Sequence, residues 1–205
     1  MSKVKTKKRD TFIDMTAMSD VTVLLLTFFM LTATFIPIEP IKVVTPASVI
    51  EKKLPDGKVF TILIEPNGRV YINLDLPNDK KAALEKMGEK YGVTFSEAEI
   101  RNFQEKTTFA GTPMGQMKDY LQNAEVSKQQ AYLRNSTGIP VDSANNQLAE
   151  WIKIARQVDQ DLVIAVKSDQ STPYPKIRAV TSTLQDIKEN RFTLVTTLKN
   201  MPEGL

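Results

Sequence analysis

Apolar and polar positions follow three different rules along this chain. From 21 to 38 no Asp, Glu, Lys or Arg occurs, and the mostly uncharged run 11–19 before it extends the stretch past the ~20 residues that a bilayer-crossing helix requires. Asp14 and Asp20 interrupt it, and only Asp20 borders the charge-free part. Residues 39–56 are then punctuated by Pro40, Pro46 and Pro55, directly after Pro37, which predicts extended chain rather than helix. Beyond that, strand and helix periods alternate. The runs 59–65 and 70–74 are rich in β-formers and flank Pro66-Asn67-Gly68-Arg69, and Asn-Gly is a strong hairpin signal. Residues 79–91 read as a charged helix that packs through Ala82, Leu84 and Met87.

The stretch 92–143 is polar and rich in Gln and Asn, with helical pieces at 113–124 and 127–133 and a candidate capping box in Ser96-x-x-Glu99. Marginal stability with conformational exchange and a dedicated binding role both fit that composition. A clear pattern returns afterwards. Leu148, Trp151, Ile152, Ala155 and Val158 make one apolar helical face, and 162–166 is a buried-type strand. Ile177, Val180, Leu184 and Ile187 mark another helix, followed by a strand over 192–198. These stripes, Trp151 included, read as core. The fold expected is α+β: one N-terminal transmembrane helix, then a small α+β domain with a mostly helical insertion. The boundaries are a tail at 1–10, a span at 11–38, a linker at 39–56 and a domain at 57–205, with the insertion at about 92–143.

Charge changes this picture at one end only. The formal net charge is +3, but Lys3, Lys5, Lys7, Lys8 and Arg9 precede every acid, leaving 22 basic residues against 24 acidic ones. The remainder is no binder of nucleic acid. The basic tail reads as a positive-inside anchor, which puts the N-terminus in the cytoplasm and the chain after Pro37 across the membrane. With no Cys and no His, disulfides, thiolate metal sites and every His-dependent catalytic constellation are excluded. A basic start before an apolar run is also the mark of a cleaved signal peptide. Against cleavage stand the length of the run, the lack of an A-x-A-like site near Thr32-Ala33-Thr34, and Asp20 itself.

Asp20 has two readings from its surroundings. An ionisable side chain inside a span is expensive and marks a proton or ion site facing a protein interior or a water path. Alternatively, Met18-Ser19-Asp20-Val21 is a helix N-cap at the cytoplasmic interface. Thr16, Asp20, Thr27 and Thr34 are spaced four, seven and seven residues apart and align on one helical face, with Leu24 and Leu31 on the same stripe. Such a seam suits a carboxyl packed against another helix. Thr22 and Thr32 lie elsewhere, and threonines in membrane helices also bond their own backbone.

The run Ile13-Asp14-Met15-Thr16-Ala17-Met18-Ser19-Asp20-Val21, followed by Val23-Leu24-Leu25-Leu26 and Phe29-Met30, resembles the N-terminal span of the ExbD/TolR family. There an I-N-V-T-P-F-I-D-V segment leads into an aliphatic helix with F-M nine and ten residues after the aspartate. The exit Ile41-Lys42-Val43-Val44-Thr45-Pro46-Ala47-Ser48 resembles the family linker I-K-V-x-L-P-A-S, and Asp169 and Tyr174 match the acid and tyrosine of its R-A-D-x-x-x-x-Y ending. The likeness covers 10–75 and 148–200. Asp14 replaces the family Asn, Ala17 the Pro, Ser19 the Ile and Ser168 the Ala.

The resemblance implies a non-enzymatic inner-membrane subunit with its C-terminal domain in the periplasm. Two copies of the helix, a homodimer, would sit inside a pore formed by a multi-span partner of the ExbB/TolQ type. No cofactor is implied, protons being the coupling ion. Asp20 matches the family's proton-carrying carboxyl, Asp14 is a second candidate acid, and Thr16, Thr27 and Thr34 form the helix seam. The likeness implies that such a motor energises outer-membrane transport through a TonB-like protein. The β-branched linker residues Ile41, Val43 and Val44 are candidates to recruit that client by strand addition. A TolR-like envelope-maintenance subunit, a MotB-like stator subunit and, more distantly, a signal-anchored periplasmic scaffold are the alternative readings.

Overall fold

The computed structural model describes residues 15–33, 44–48, 57–123, 125–142, 145–195 and 197–198. The basic tail, Asp14, Thr34, Ile41, Val43 and most of 39–56 lie outside them. The chain divides into two units, Met1–Ile38 and Glu39–Leu205. In the first, helix α1 (Met15–Thr32) has 18 residues, a mean hydropathy of 1.6 and no buried side chain. At 1.5 Å per residue it is about 27 Å long, close to the ~30 Å hydrocarbon core of a bilayer. A helix apolar on all sides is made for lipid or for a partner's helices rather than for water.

The second unit is built, in chain order, from β1 (Ala47–Ser48), β2 (Val59–Ile64), β3 (Val70–Leu74), α2 (Pro77–Tyr91), α3 (Glu97–Glu105), α4 (Met114–Gln122) and α5 (Val126–Asn135). It continues with β4 (Val141–Asp142), β5 (Asn145–Asn146), α6 (Gln147–Val158), β6 (Val163–Ser168), α7 (Tyr174–Asp186), β7 (Phe192–Val195) and β8 (Thr197–Leu198). Four strands form a mixed sheet in the order β3-β2-β6-β7. The β2–β3 hairpin is antiparallel with Ile62 opposite Ile72, whereas β2–β6 and β6–β7 are parallel. The hairpin turns where the sequence places it: Gly68 sits at φ +83°, a conformation open to glycine, and its N–H donates to the Glu65 carbonyl at 2.8 Å. Strand β2 is buried along its whole length, as a central β-branched and aromatic strand should be.

Helix α2 starts with Pro77 at its first turn, where a missing N–H costs nothing, so it begins two residues before the charge pattern suggests. Asn146 caps α6 by accepting from the Ala149 N–H at 3.0 Å and donates to the Thr183 hydroxyl at 2.9 Å, tying α6 to α7. The core runs from Phe60, Ile62 and Ile164 on the sheet to Leu84 and Met87 on α2 and Leu148 and Trp151 on α6.

The stretch 92–143 is better packed than its composition suggests. Its apolar residues are sparse, but Phe103, Phe109, Met114, Met117, Tyr120, Leu121, Leu133 and Ile139 all join the same buried cluster as the sheet. Both halves of the capping box form, with Glu99 N–H donating to Ser96 Oγ at 3.4 Å and Ser96 N–H to Glu99 Oε2 at 2.8 Å. Gly111 lies against the Tyr71 ring, so close that any Cβ there would overlap it. The buried Lys80 ammonium of α2 donates to the Thr107 carbonyl at 2.8 Å. Ile72 and Ala110 exchange backbone hydrogen bonds at 2.8 and 2.7 Å, and Ile139 N–H donates to the Val70 carbonyl at 2.9 Å. The 92–143 segment thus borders the outer edge of β3.

Candidate functional site

Asp20 is the only ionisable side chain in α1 and lies five residues inside it, with the helix continuing for twelve more. The N-cap reading therefore fails, because a cap sits where helical geometry begins. Four hydroxyls of the helix bond its own backbone. Ser19 Oγ donates to the Met15 carbonyl at 2.9 Å, Thr22 Oγ1 to Met18 at 2.6 Å, Thr27 Oγ1 to Leu24 at 2.9 Å and Thr32 Oγ1 to Phe28 at 2.8 Å. Asp20 is exposed and engages no partner among the described residues. At 100° per residue, Thr16, Asp20 and Thr27 fall within about 40° of one another, so α1 brings these three onto one face. The Thr27 hydroxyl, however, is turned onto its own helix. Asp14 and Thr34 lie outside the described residues.

A second cluster forms where the linker meets the folded unit. Val44 N–H donates to Asp169 Oδ2 at 2.9 Å, and Gln170 N–H donates to the Val44 carbonyl at 2.8 Å. Ala47 and Ser48 then pair in parallel with Thr197 and Leu198. Asp169 Oδ1 accepts from the Ser171 hydroxyl at 2.6 Å and the Ser171 N–H at 2.9 Å. These two bonds, with the one from Val44, hold the Asp169 carboxyl below its ordinary range. Tyr174, the other residue matched at the family ending, opens α7 and is 72% exposed.

Of the linker only 44–48 lies within the described residues, and there Val44 is not a free edge. Its amide and its carbonyl are both bonded within the chain, while its side chain stays 67% exposed. A client strand at this position has to displace Asp169 and Gln170. Ile41 and Val43 lie outside the described residues. Sequence reasoning matched Asp169 by motif alone and missed its bond to Val44. The two residues are 125 positions apart, and no local pattern carries that contact.

Among the described residues no group of three or more Asp or Glu side chains is arranged to hold a metal ion. The family model described as "Biopolymer transport protein ExbD/TolR" matches residues 6–199. No curated protein and no solved structure gives a significant match. Members of this family are transport proteins without catalytic activity, and membership implies complex partners of the ExbB/TolQ type. An apolar N-terminal helix carrying one acid, an α+β domain behind it and a match that spans nearly the whole sequence have one consequence: the chain belongs to the ExbD/TolR family of biopolymer transport proteins.

Proposed function

We propose that the chain is the proton-conducting subunit of an ExbB/ExbD-like inner-membrane motor that uses the proton motive force to energise TonB-dependent outer-membrane transport. One observation carries this reading: α1 holds a single carboxyl, set within the helix, in a segment whose neighbouring hydroxyls already bond their own backbone. A charge with no partner in its own helix, placed in a low-dielectric region, needs a polar surface from another subunit or a water path. Two α1 helices inside a multi-span partner of the ExbB/TolQ type supply that setting. Asp20 then alternates between neutral and ionised forms, and each form favours a different partner surface. A proton crossing 100 mV supplies about 2.3 kcal/mol from the electrical term alone, so a few transfers suffice to drive rotation or a pull on the folded unit. The basic tail holds the N-terminus in the cytoplasm and leaves the α+β unit in the periplasm.

The test is Asp20→Asn, which keeps shape and removes ionisation. Proton-driven uptake disappears while co-purification with the multi-span partner persists; uptake that continues in a normally assembled Asp20→Asn complex refutes the assignment. Asp14→Asn is expected to retain uptake, and the reverse pattern moves the site to Asp14. A deletion strain loses TonB-dependent nutrient uptake; loss of envelope integrity alone identifies a Tol-type system instead. Client capture by the linker at Val44 requires that residue to leave its bonded position. It therefore competes with the bonds from Val44 to Asp169 and from Gln170 to Val44.

A further inference from the structure

Helix α2 ends on a cleft of about 470 Å³, within the ordinary size of a ligand pocket. Glu85, Gly88 and Glu89 of α2 line it together with Val93, Phe95 and Ile100 of the segment that follows. Gly88 shapes its floor. A Cβ there would meet the Val93 carbonyl at 2.5 Å and the Phe95 ring at 3.1 Å, so a glycine that normally costs a helix stability lets 93–95 lie directly on α2. Phe95 and Ile100 pack against the buried cluster and stay partly exposed. The rim is acidic. Glu85 and Glu89, one helical turn apart, are both exposed; Lys81 approaches Glu85 only at 3.9 Å, and Glu89 has no ion pair among the described residues. The negative end of α2 lies beside them. The N–H groups of Gly92 and Val93 both turn back to the Gly88 carbonyl, which leaves the carbonyls of Glu89, Lys90 and Tyr91 without a helical donor. Lys118 of α4 reaches this wall, where its amine donates to the Thr94 carbonyl at 3.4 Å.

We infer that this cleft receives a short extended segment of a partner protein in which apolar side chains flank a lysine or arginine. Two carboxylates and a helix C-terminus favour a cation, and Val93, Phe95 and Ile100 offer apolar surface for the residues beside it. The aliphatic stem of a lysine or arginine lies along such a surface while its charged head stays at the acidic rim. The same charges turn away phosphate: a lipid headgroup or a nucleic acid would set its anion against Glu85, Glu89 and the end of α2. A lone small amine would leave most of the volume to water, whereas neighbouring side chains on one segment fill it. The cleft uses no residue of α1 and none of the linker, so docking there is independent of proton transfer through Asp20.

The test uses the full chain, carrying labelled isoleucine and valine methyls and assembled with its unlabelled membrane partner in lipid nanodiscs. The probe is the capped tripeptide acetyl-Leu-Lys-Leu-amide. It is expected to shift the methyl signals of Ile100 and Val93 saturably. Replacing its lysine by uncharged norleucine, or its leucines by glycine, is expected to weaken binding about tenfold in each case. The double variant Glu85→Gln, Glu89→Gln is expected to lose about tenfold as well, with an unchanged melting temperature because both side chains are exposed. A lack of saturable shifts at Ile100 and Val93 overturns the inference. So does a norleucine peptide that binds as well as the lysine one, since the rim then reads no charge. A glycine-flanked peptide of equal affinity overturns it by showing that a bare amine is enough. Binding that survives in the double variant, or shifts that follow protein concentration instead of peptide and so report a second copy of the chain, overturn it too. Asp20→Asn is expected to leave the titration intact, so this result and the proton assignment are read separately.

Discussion

Helix α1 and the α+β unit treat their ionisable groups in opposite ways. In the folded unit, a subset of such groups is held by fixed bonds. Arg156 meets Glu189 through two bonds of 2.8 Å and donates to the Gln160 and Leu162 carbonyls at 2.8 and 2.6 Å. Lys80 is buried, its amine pushed below its ordinary value by desolvation against the pull of Asp75, and it still reaches the Thr107 carbonyl. Burial would raise Glu99, but bonds from Ser96 and Gln122 outweigh it and leave the carboxyl below its ordinary value. Among the described residues Asp20 has no such partner. A charge pinned by several donors holds shape, whereas under the proposed function a charge without a resident partner is the one available for coupling to another subunit.

The sharpest way to break this contrast is to neutralise the unpinned acid. Asp20→Asn is expected to abolish proton-driven uptake while the denaturant midpoint of the folded unit stays where it was, because no bond inside that unit involves Asp20. A shifted midpoint would tie Asp20 to folding and end the distinction. Next in size comes Trp151→Ala, which removes a fully buried side chain stacked on Phe103. Cavity formation should cost about 3–5 kcal/mol. It is measured by chemical denaturation of the full chain in detergent, with uptake falling only as far as the folded population falls.

Smaller effects follow from single pinned charges. Glu99→Gln weakens the capping box and is expected to cost about 1 kcal/mol. Since the folded-state pKa of Glu99 lies below the ordinary value of 4.5, its contribution is fully present above that value and is lost as pH falls through the folded one. The stability difference between Glu99→Gln and the parent should therefore shrink on acidification below about pH 4.5 and stay constant above pH 6. Asp169→Ala releases the Val44 amide. Hydrogen exchange should show Val44 losing protection while the amides of β6 keep theirs.

Much of this was legible from residues alone because the signals were local. The uncharged run before Pro37, the Asn-Gly turn and the 3.6-residue stripe from Leu148 to Val158 each contain the physics of their own element. So does the capping box, since Ser96 and Glu99 are three residues apart. What could not be read was long range. The burial of the 92–143 segment depends on Phe103, Met117 and Leu133 meeting a core assembled from strands distant in sequence, and polar composition hides how few apolar side chains are enough. The backbone bonds at the edge of β3 depend on Ala110 and Ile139, whose local sequence carries no strand pattern. For Asp20 the sequence offered the residue and the structure its place within the helix.

The smallest predicted effect is also the one that tests how local the proton site is. Thr27 shares a helical face with Asp20, but its hydroxyl bonds the Leu24 carbonyl in its own helix. If that bond persists in the assembled complex, Thr27→Ala removes a group that no neighbour uses, and proton-driven uptake should change by less than about twofold. Were the hydroxyl to turn outward onto a partner helix, its loss would remove a bond worth about 0.6 kcal/mol, roughly threefold in an equilibrium. A tenfold loss exceeds what one interhelical hydroxyl supplies and would place Thr27 on the proton's route beside Asp20. The contrast would then be redrawn around a polar seam instead of a single carboxyl. Thr22→Ala, on a different face and bonded to Met18, is the matched control, since any effect common to both substitutions belongs to the helix and not to the seam.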